Sequence, residues 1–533
     1  MKYSAVVACW VITTLINVAL GGHPADTKIP DLIDFHIGQQ LQKSEIQPAA
    51  LASDLTLLRR TTLDLVGRIP TVAEARVYLA SDDGHKRIAL VDRLTASTGF
   101  AGHQANTFDA FLMQGTSASL RDYLRAAFAE GRPWDEMFRD MLTVDVSSQS
   151  PAEEYVKARV KDLDKLTNDA SVMFFGVNVS CAKCHDHPLV PEWSQAHFYG
   201  MKSFFCRTFE LGEFVGEREY GDVKYKTTAG DEKLAHMMFL TGTLIAEPGG
   251  TEPAAEEKKA EKKRLEELKK NKQPPPIPSF SRRDQLVDVA LRSGENRYFA
   301  RAIANRIWYQ LIGHALVMPL DQMHPENLAS HPELLDSLAQ DLIDHDYDLQ
   351  RLIRGIVLSD TYARTSRWDG GQRPVPELFA VANVRPMGPF QYANTLHLAT
   401  TTPDHFAGGV SEDEFIRRID AVAKASQSVA ELFDQPHDGF QISVTEALLL
   451  NNSQRLADGL LRDAAGSLVG KLVSLTDNRQ LIETAVWNVF VRPPDEQETK
   501  LFDEFLQRHN DRKAACRELV WSLLASSEVR FNY

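Results

Sequence analysis

The chain has 533 residues, of which 43% are hydrophobic and 25% are charged, and its formal net charge is −14 at pH 7. This is the composition of an ordinary globular protein that is long enough for more than one domain and forms a large core without needing disulfide crosslinks. The acidic balance argues against a nucleic-acid partner, because binding to a phosphate backbone needs clustered Lys and Arg.

The first 22 residues have the pattern of a secretory signal peptide. Lys2 precedes an uncharged apolar run from about Ala5 to Leu20, and small residues follow it. A retained N-terminal anchor is the alternative interpretation. No later run reaches the roughly 18 apolar residues that a membrane span requires. We therefore predict an exported protein, periplasmic or in the cell envelope, with no transmembrane span in the mature chain.

Cysteine is scarce in this sequence. Cys9 lies within the apolar run of the predicted signal, so four cysteines remain in the mature chain: Cys181, Cys184, Cys206 and Cys516. These are too few for a disulfide scaffold in an exported protein of this size.

The first part of the mature chain is predicted to be helical. Apolar residues recur at helical spacing from Ile33 to about Leu142. The segment Thr71-Val-Ala-Glu74 has the pattern of a capping box, in which the Thr hydroxyl and the Glu carboxylate each accept a hydrogen bond from a free backbone N–H. We predict a helical module over residues 30–212.

The middle of the chain changes character twice. Residues 213–250 contain short β-prone segments broken by Gly and Asp, which predicts a small strand-containing insertion. Residues 251–277 are rich in Glu and Lys and end in a run of prolines, which predicts a solvated helix or a disordered linker. We place the boundary between the two modules there.

Residues 278–533 form a second predicted helical module. One helical face carries Phe299, Ile303, Ile307 and Leu311, and Gly313 is the predicted stop. The segment Ser330-His-Pro-Glu333 predicts another capping box, which favours a structural role for His331. The predicted fold class is mainly α, with two helical modules and a small strand-containing insertion between them.

The most informative motif is Cys181-Ala-Lys-Cys184-His185. Covalent attachment of haem c needs two thiols to add to the two vinyl groups and a histidine directly after the second thiol to ligate the iron. The spacing therefore predicts haem c as the cofactor, attached to Cys181 and Cys184, with His185 as the iron ligand.

Other readings of this motif remain open. In one alternative, Cys181 and Cys184 form a disulfide, or they remain two buried thiols beside a capping His185. In another, Cys181, Cys184, His185 and His187 bind zinc or another transition metal, although four ligands within seven residues are cramped. A thiol redox centre is a further alternative, which the lack of a surrounding βαβ pattern disfavours.

The residues after the motif suggest supporting roles. Asp186 is expected to accept a hydrogen bond from an imidazole N–H and so to orient the ring, and Asp186 and His187 are also alternative metal ligands. Candidates for a second axial iron ligand are Met173, Met201 and His197, although a core or surface role is favoured for each. No catalytic triad signature, phosphate-binding Gly-rich loop or His-Glu-x-x-His helix is present, so the sequence does not identify an enzyme.

Two long stretches resemble a known family. The sequence "VMFFGVNVSCAKCHDHPLVPEWSQAHFYGMKSFF" resembles the signature of the planctomycete cytochrome-like module, and "LLRRTTLDLVGRIPTVAEARVYL" resembles the opening of that module. The stretch that begins "ENRYFARAIANRIWYQLIGHALVMPLDQMHPEN", together with "VTEALLLNNSQ", "VFVRPPDEQE" and "LLASSEVRFNY", resembles the planctomycete-specific module that normally follows.

The resemblance implies an exported two-module protein without an assigned reaction. Cys181, Cys184 and His185 correspond to the haem-attachment pattern, and Asp186-His187-Pro188 to the positions that accompany it. The sequence departs from the family at His197, where an acidic residue is usual.

The favoured function is binding of one c-type haem for periplasmic electron transfer or redox chemistry, with an unknown redox or envelope protein as partner. One rival is a non-redox binding or scaffold protein of the cell envelope in which the motif is structural and no cofactor is bound. The other is a metal-dependent hydrolase that uses His185, Asp186 and His187 around a transition metal.

Overall fold

The structure is a computed structural model that describes residues 28–143, 150–188, 190–191, 193–248, 252–295, 297–436 and 458–533. Of the residues described, 58% are helical, and the strands among them form only short antiparallel pairs in and after the middle of the chain. The predicted fold class is therefore confirmed. The predicted signal peptide and the stretch "VTEALLLNNSQ" lie outside the described residues.

The N-terminal half is built from short helices. In chain order they are α1 Ile29–Lys43, α2 Asp54–Val66, α3 Val72–Ala80, α4 Lys86–Thr95, α5 Thr98–Leu112, α6 Arg121–Ala129, α7 Trp134–Leu142, α8 Glu154–Lys157, α9 Leu163–Phe175 and α10 Gln195–Ser203. Ser53 and Ser97 cap α2 and α5 through their hydroxyls. Thr71 and Glu74 form the predicted capping box at the start of α3, so the sequence correctly located this helix.

Two hairpins follow α10. Strand β1 Thr208–Leu211 pairs with β2 Phe214–Glu217, and β3 Lys224–Lys226 pairs with β4 Glu232–Leu234. The first strand thus begins before residue 213. The charged segment after the hairpins forms α11 Ala255–Lys270, in which Leu265 is buried and most of the other side chains are exposed, so the solvated helix is the alternative that the structure adopts.

The C-terminal half is again helical. Its helices are α12 Arg282–Leu291, α13 Arg297–Ile312, α14 Pro332–Asp344, α15 Leu349–Leu358, α16 Asp360–Ala363, α17 Pro389–Thr400, α18 Glu412–Ala430, α19 Leu468–Ser474, α20 Asn478–Phe490, α21 Glu496–Arg508, α22 Arg512–Leu524 and α23 Ser527–Arg530. A third strand pair joins β5 Arg385–Pro386 to β6 Phe531–Asn532. Gly313 follows the end of α13 with a φ of +83°, as predicted for a helix stop.

The predicted capping box at Ser330 is wrong. Helix α14 begins at Pro332, its N-cap is His331, and no side chain caps it. The reason is that the residue before a proline is disfavoured in the α conformation, so His331 cannot be the first helical residue and the box is one residue out of register. His331 is buried, and its Nδ1 lies 3.2 Å from the Ser330 hydroxyl.

The two halves of the chain share one hydrophobic core. Helix α1 packs against α14 and α15, α7 against α12, and α9 against α13. At the centre, Trp134 of α7 stacks on Phe299 of α13 with ring centroids 6.0 Å apart, and Phe138 lies 4.7 Å from the same ring. Among the helices of the described ranges, none combines the length and the apolar character needed to cross a bilayer.

Candidate functional site

The Cys-x-x-Cys-His motif lies in the connection between α9 and α10, which we call the motif loop (residues 177–194). Helix α9 ends at Gly176, which has a φ of +68°. A single 3-10 turn, Ser180–Lys183, carries the first cysteine, and Cys184 follows at the end of that turn. Helix α10 begins directly after the loop, so helices hold both ends of the motif.

The two thiols of the motif are accessible. Cys181 and Cys184 are both exposed, and neither takes part in a disulfide. The alternative with two buried thiols beside His185 therefore does not match this loop. Thiols in this setting are open to addition or metal chemistry from solvent.

His185 is exposed, and its orientation is set by its own loop. Its Nδ1 lies 2.7 Å from the backbone carbonyl oxygen of Asp186. When Nδ1–H donates to this carbonyl, Nε2 is left with a free lone pair, which is the state that a metal-ligating imidazole needs.

The carboxylate of Asp186 does not make the hydrogen bond predicted for it. The imidazole contacts the backbone of Asp186, whereas the side-chain Oδ1 accepts a hydrogen bond from the backbone N–H of Gln195 at 3.2 Å. Asp186 thus connects the motif to the first turn of α10.

Gln195 holds the motif loop from the other side. This buried side chain places its Nε2 3.4 Å from the carbonyl oxygen of Lys183 and 3.3 Å from that of Cys184. Its Oε1 accepts a hydrogen bond from the backbone N–H of Thr228, beyond β3, at 3.1 Å. The backbone around the second cysteine is therefore fixed by a residue that our sequence analysis did not single out.

His187 lies apart from the exposed motif residues. It is only 6% exposed, and its ring packs edge-on against Trp193 at 5.4 Å between centroids. Burial lowers its pKa, and the nearby His324 and His185 lower it further. Within the described ranges no three His, Cys, Asp or Glu side chains are arranged to hold a metal ion, so the predicted four-ligand set is not assembled.

The structure brings His324 of the C-terminal half next to this loop. Its ring lies 6.1 Å from that of His187 and 5.9 Å from that of Trp193, and its Nδ1 is buried without a hydrogen-bond partner among the residues that the structure describes. The sequence does mark this residue, because the His-Pro pair at 324–325 repeats the His-Pro pair at 187–188. Nothing local in the sequence connects the two.

A short backbone contact explains this proximity. The N–H of Asn178 donates to the carbonyl of Asp321 at 2.8 Å, and the N–H of Met323 donates to the carbonyl of Gly176 at 2.9 Å. The side chains of Asn178 and Asp321 add a further hydrogen bond at 2.9 Å. The motif loop is thus attached to the C-terminal half through its first residues.

The predicted second axial ligands do not lie on the exposed side of the loop. Met173 and Met201 belong to the hydrophobic core and are 8% and 0% exposed. His197 is part of the cap of α10, because its Nδ1 accepts a hydrogen bond from the N–H of Ser194 at 3.2 Å.

Comparison with known proteins finds one family-model match in each half of the chain. Residues 32–210 match the family model PSCyt2, described as "Protein of unknown function (DUF1549)", and residues 282–506 match PSD1, described as "Protein of unknown function (DUF1553)". Neither the search of curated proteins nor the search of solved structures gave a match. Two family models, PSCyt2 and PSD1, thus match successive parts of the chain, in the order that the resemblance noted in the sequence implies.

Proposed function

We propose that the protein is exported and binds one c-type haem through Cys181, Cys184 and His185, for electron transfer or redox chemistry in the periplasm or cell envelope. The observation that carries this proposal is the geometry of the motif loop. One exposed thiol lies within a 3-10 turn and a second directly follows it, and the next residue is an exposed imidazole whose Nδ1 is hydrogen-bonded to its own loop.

The residues present fit covalent attachment chemically. Cys181 and Cys184 would hold the haem by adding across its two vinyl groups, with sulfur bonding to one carbon and the thiol proton to the other, so the addition would need no oxidant or reductant. The Nδ1 contact with the Asp186 carbonyl holds the His185 ring in the tautomer that presents Nε2. When bound, haem supplies a one-electron redox centre.

The surroundings of the loop support a stable attachment site. Gln195 fixes the carbonyls of Lys183 and Cys184, and the Tyr199 hydroxyl donates to the Lys183 carbonyl at 3.2 Å. Lys183 is also paired with Asp164 at 2.7 Å. Contacts with Gln195, Tyr199 and Asp164 therefore fix the backbone between the two thiols.

The test is expression of the full chain in a bacterial periplasm together with the machinery that attaches haem c. We expect a red protein whose pyridine haemochrome spectrum is that of a c-type haem. Cys181→Ser and Cys184→Ser should each reduce covalent haem strongly. Cys206→Ser is the matched control, because this partly buried cysteine lies outside the motif and a hydroxyl can also accept the hydrogen bond from Arg282.

The same preparation separates the rivals. A protein that is colourless and free of metal contradicts the haem proposal and favours the scaffold function. A colourless protein that retains a transition metal, lost in His185→Ala, contradicts it in favour of the metal-dependent hydrolase.

A further inference from the structure

A second potential site lies between the two modules, and all its lining residues are outside the motif loop. It is a cavity of about 550 Å³ that is lined from the N-terminal half by α2 and α5 and from the C-terminal half by the end of α13, by β5 and β6 and by the start of α17. A smaller cavity of about 210 Å³ adjoins it and shares Asn106, Ala110, Phe390 and Gln435 with it. We call the two cavities together the inter-module groove.

The fold places aromatic and proline side chains along this groove. The pairing of β5 with β6 sets Pro386 opposite Phe531, and both line the larger cavity. Phe390, in the first turn of α17, and Tyr309, near the end of α13, are half-buried in the same lining. The groove therefore has flat apolar surfaces that remain accessible.

The charged groups of the groove neutralise one another. Asp64 accepts two hydrogen bonds from the Arg385 guanidinium at 2.9 and 2.7 Å, one from the Tyr362 hydroxyl at 2.7 Å and one from the Asn532 amide at 2.9 Å. In the smaller cavity, Arg121 lies over the Phe390 ring and pairs with Asp109 at 3.5 Å. Neither pair leaves an uncompensated charge for a ligand.

Two of the other polar side chains in the lining are neutral and available. Asn106 and Gln310 line the larger cavity, and their side-chain amides make no hydrogen bond to any residue of the described ranges. Each amide offers both donors and an acceptor.

His103 adds an acceptor to this set. Its ring is buried in the lining of the larger cavity, and burial lowers its pKa to about 4. The ring is therefore neutral near pH 7. A neutral imidazole has one N–H donor and one acceptor nitrogen.

We propose that the inter-module groove binds a neutral oligosaccharide. Sugar hydroxyls are donors and acceptors at once and match the amides of Asn106 and Gln310, while the C–H faces of sugar rings pack on aromatic side chains. An ionic ligand would find no free counter-charge, and a wholly apolar one would bury the amides without partners. Two adjoining cavities suit a ligand of several sugar units better than a single sugar.

The experiment is isothermal titration calorimetry of the full chain with cellotetraose, mannotetraose, xylotetraose and maltotetraose, and with tetragalacturonate and the glucosamine tetramer as charged probes. We expect at least one neutral tetrasaccharide to bind and both charged ones to bind more weakly. Asn106→Leu and Gln310→Leu should each raise its Kd about fivefold to tenfold, because each removes hydrogen bonds to the ligand. Gln42→Leu, on the exposed surface of α1, is the control and should leave the Kd unchanged.

Thermal unfolding of each variant accompanies the titration. Since neither amide has a protein partner among the described residues, both variants should unfold near the wild-type temperature, which separates lost binding from lost folding. The proposal is overturned if none of the four neutral tetrasaccharides binds, if a charged probe binds more tightly than all of them, or if the two groove variants bind like the wild type.

Discussion

Gln195 connects three parts of the motif site through its backbone and its side chain. Its backbone N–H binds the Asp186 carboxylate, its amide nitrogen faces the carbonyls around Cys184, and its amide oxygen binds the N–H of Thr228. It is 7% exposed, so water replaces these hydrogen bonds poorly. Gln195, at the start of α10, therefore stabilises the conformation of much of the loop.

Gln195→Leu tests this role. We expect the free energy of unfolding to fall by about 1 kcal/mol, because partly buried carbonyl and N–H groups lose their partner. Haem attachment to the loop should fall as well, because the two thiols are less well positioned. Urea unfolding followed by circular dichroism measures the first effect. Gln507→Leu is the control, since Gln507 makes an exposed hydrogen bond within its own helix at 2.7 Å; equal losses in the two variants would argue against the role of Gln195.

His331 makes the stability of the protein depend on pH. It is 5% exposed, and burial lowers its pKa to about 4, with the charge of nearby His36 acting in the same direction and Glu333 in the opposite one. Because the pKa of His331 is lower in the folded state, only the unfolded chain is protonated at His331 between about pH 6.5 and about pH 4. Stability is therefore full above that range and is lost as the pH falls through it.

We expect His331→Gln to reduce the slope of unfolding free energy against pH by up to about 1.4 kcal/mol per pH unit within this range, which corresponds to one proton. Urea unfolding at several pH values between about 7 and about 4 measures the slope. His85→Gln should leave the slope as it is in the wild type, because 82% of the His85 side chain is exposed. A slope that is the same in His331→Gln and in the wild type would contradict the assignment.

At the scale of elements, the sequence correctly predicts helix starts and ends that depend on neighbouring residues. The cap at Thr71 and the stop at Gly313 depend on neighbours within a few residues, and both are found where the pattern places them. The start of α14 was misplaced because the pattern of Ser330 and Glu333 was considered without the proline between them. The contact of residues 176–178 with residues 320–323 was not predictable, because hydrogen bonds between backbones distant in sequence leave no local pattern.

Gly176→Ala tests the contact between the motif loop and the C-terminal half. Gly176 has a φ of +68°, and an added Cβ would lie 3.3 Å from the Leu320 carbonyl oxygen. Gly131 has a similar φ of +66°, and no described neighbouring atom lies within 4 Å of an added Cβ. Gly131→Ala therefore introduces backbone strain without crowding.

We expect Gly131→Ala to lose about 1–2 kcal/mol of unfolding free energy, the usual cost of a side chain in the left-handed region. Gly176→Ala should lose more, because it also crowds the neighbouring segment. Urea unfolding of the two variants gives the difference. Equal losses would show that the contact with residue 320 tolerates the extra methyl group.

At the scale of the whole molecule, the two modules behave as one packed unit. Asp64 of the N-terminal half is 3% exposed and receives hydrogen bonds from Tyr362, Arg385 and Asn532 of the C-terminal half. The sequence predicted two modules from their patterns, but not that one carboxylate connects them. The same limit applies to the inter-module groove, whose lining comes from segments far apart in the chain.

Asp64→Asn should therefore destabilise both modules together. Loss of the charge leaves the Arg385 guanidinium, whose side chain is 14% exposed, without its counter-ion, which costs up to about 3 kcal/mol. Asp92→Asn removes the partner of Arg354 in a half-exposed ion pair and should cost less than about 1 kcal/mol. Urea unfolding followed by both tryptophan fluorescence and circular dichroism measures the loss. Similar small losses in the two variants, or destabilisation of only one of two separate transitions, would contradict this account.

The central claim is that the loop carrying Cys181, Cys184 and His185 is a covalent haem site, and peptide mass spectrometry tests it most directly. The full chain is produced in the periplasm with the haem c maturation machinery and digested with a protease. We predict that the peptide containing both cysteines carries one haem bound through two thioethers, and that Cys206 and Cys516 are unmodified. Recovery of that peptide without haem, with its two cysteines as free thiols or as a disulfide, would contradict the claim.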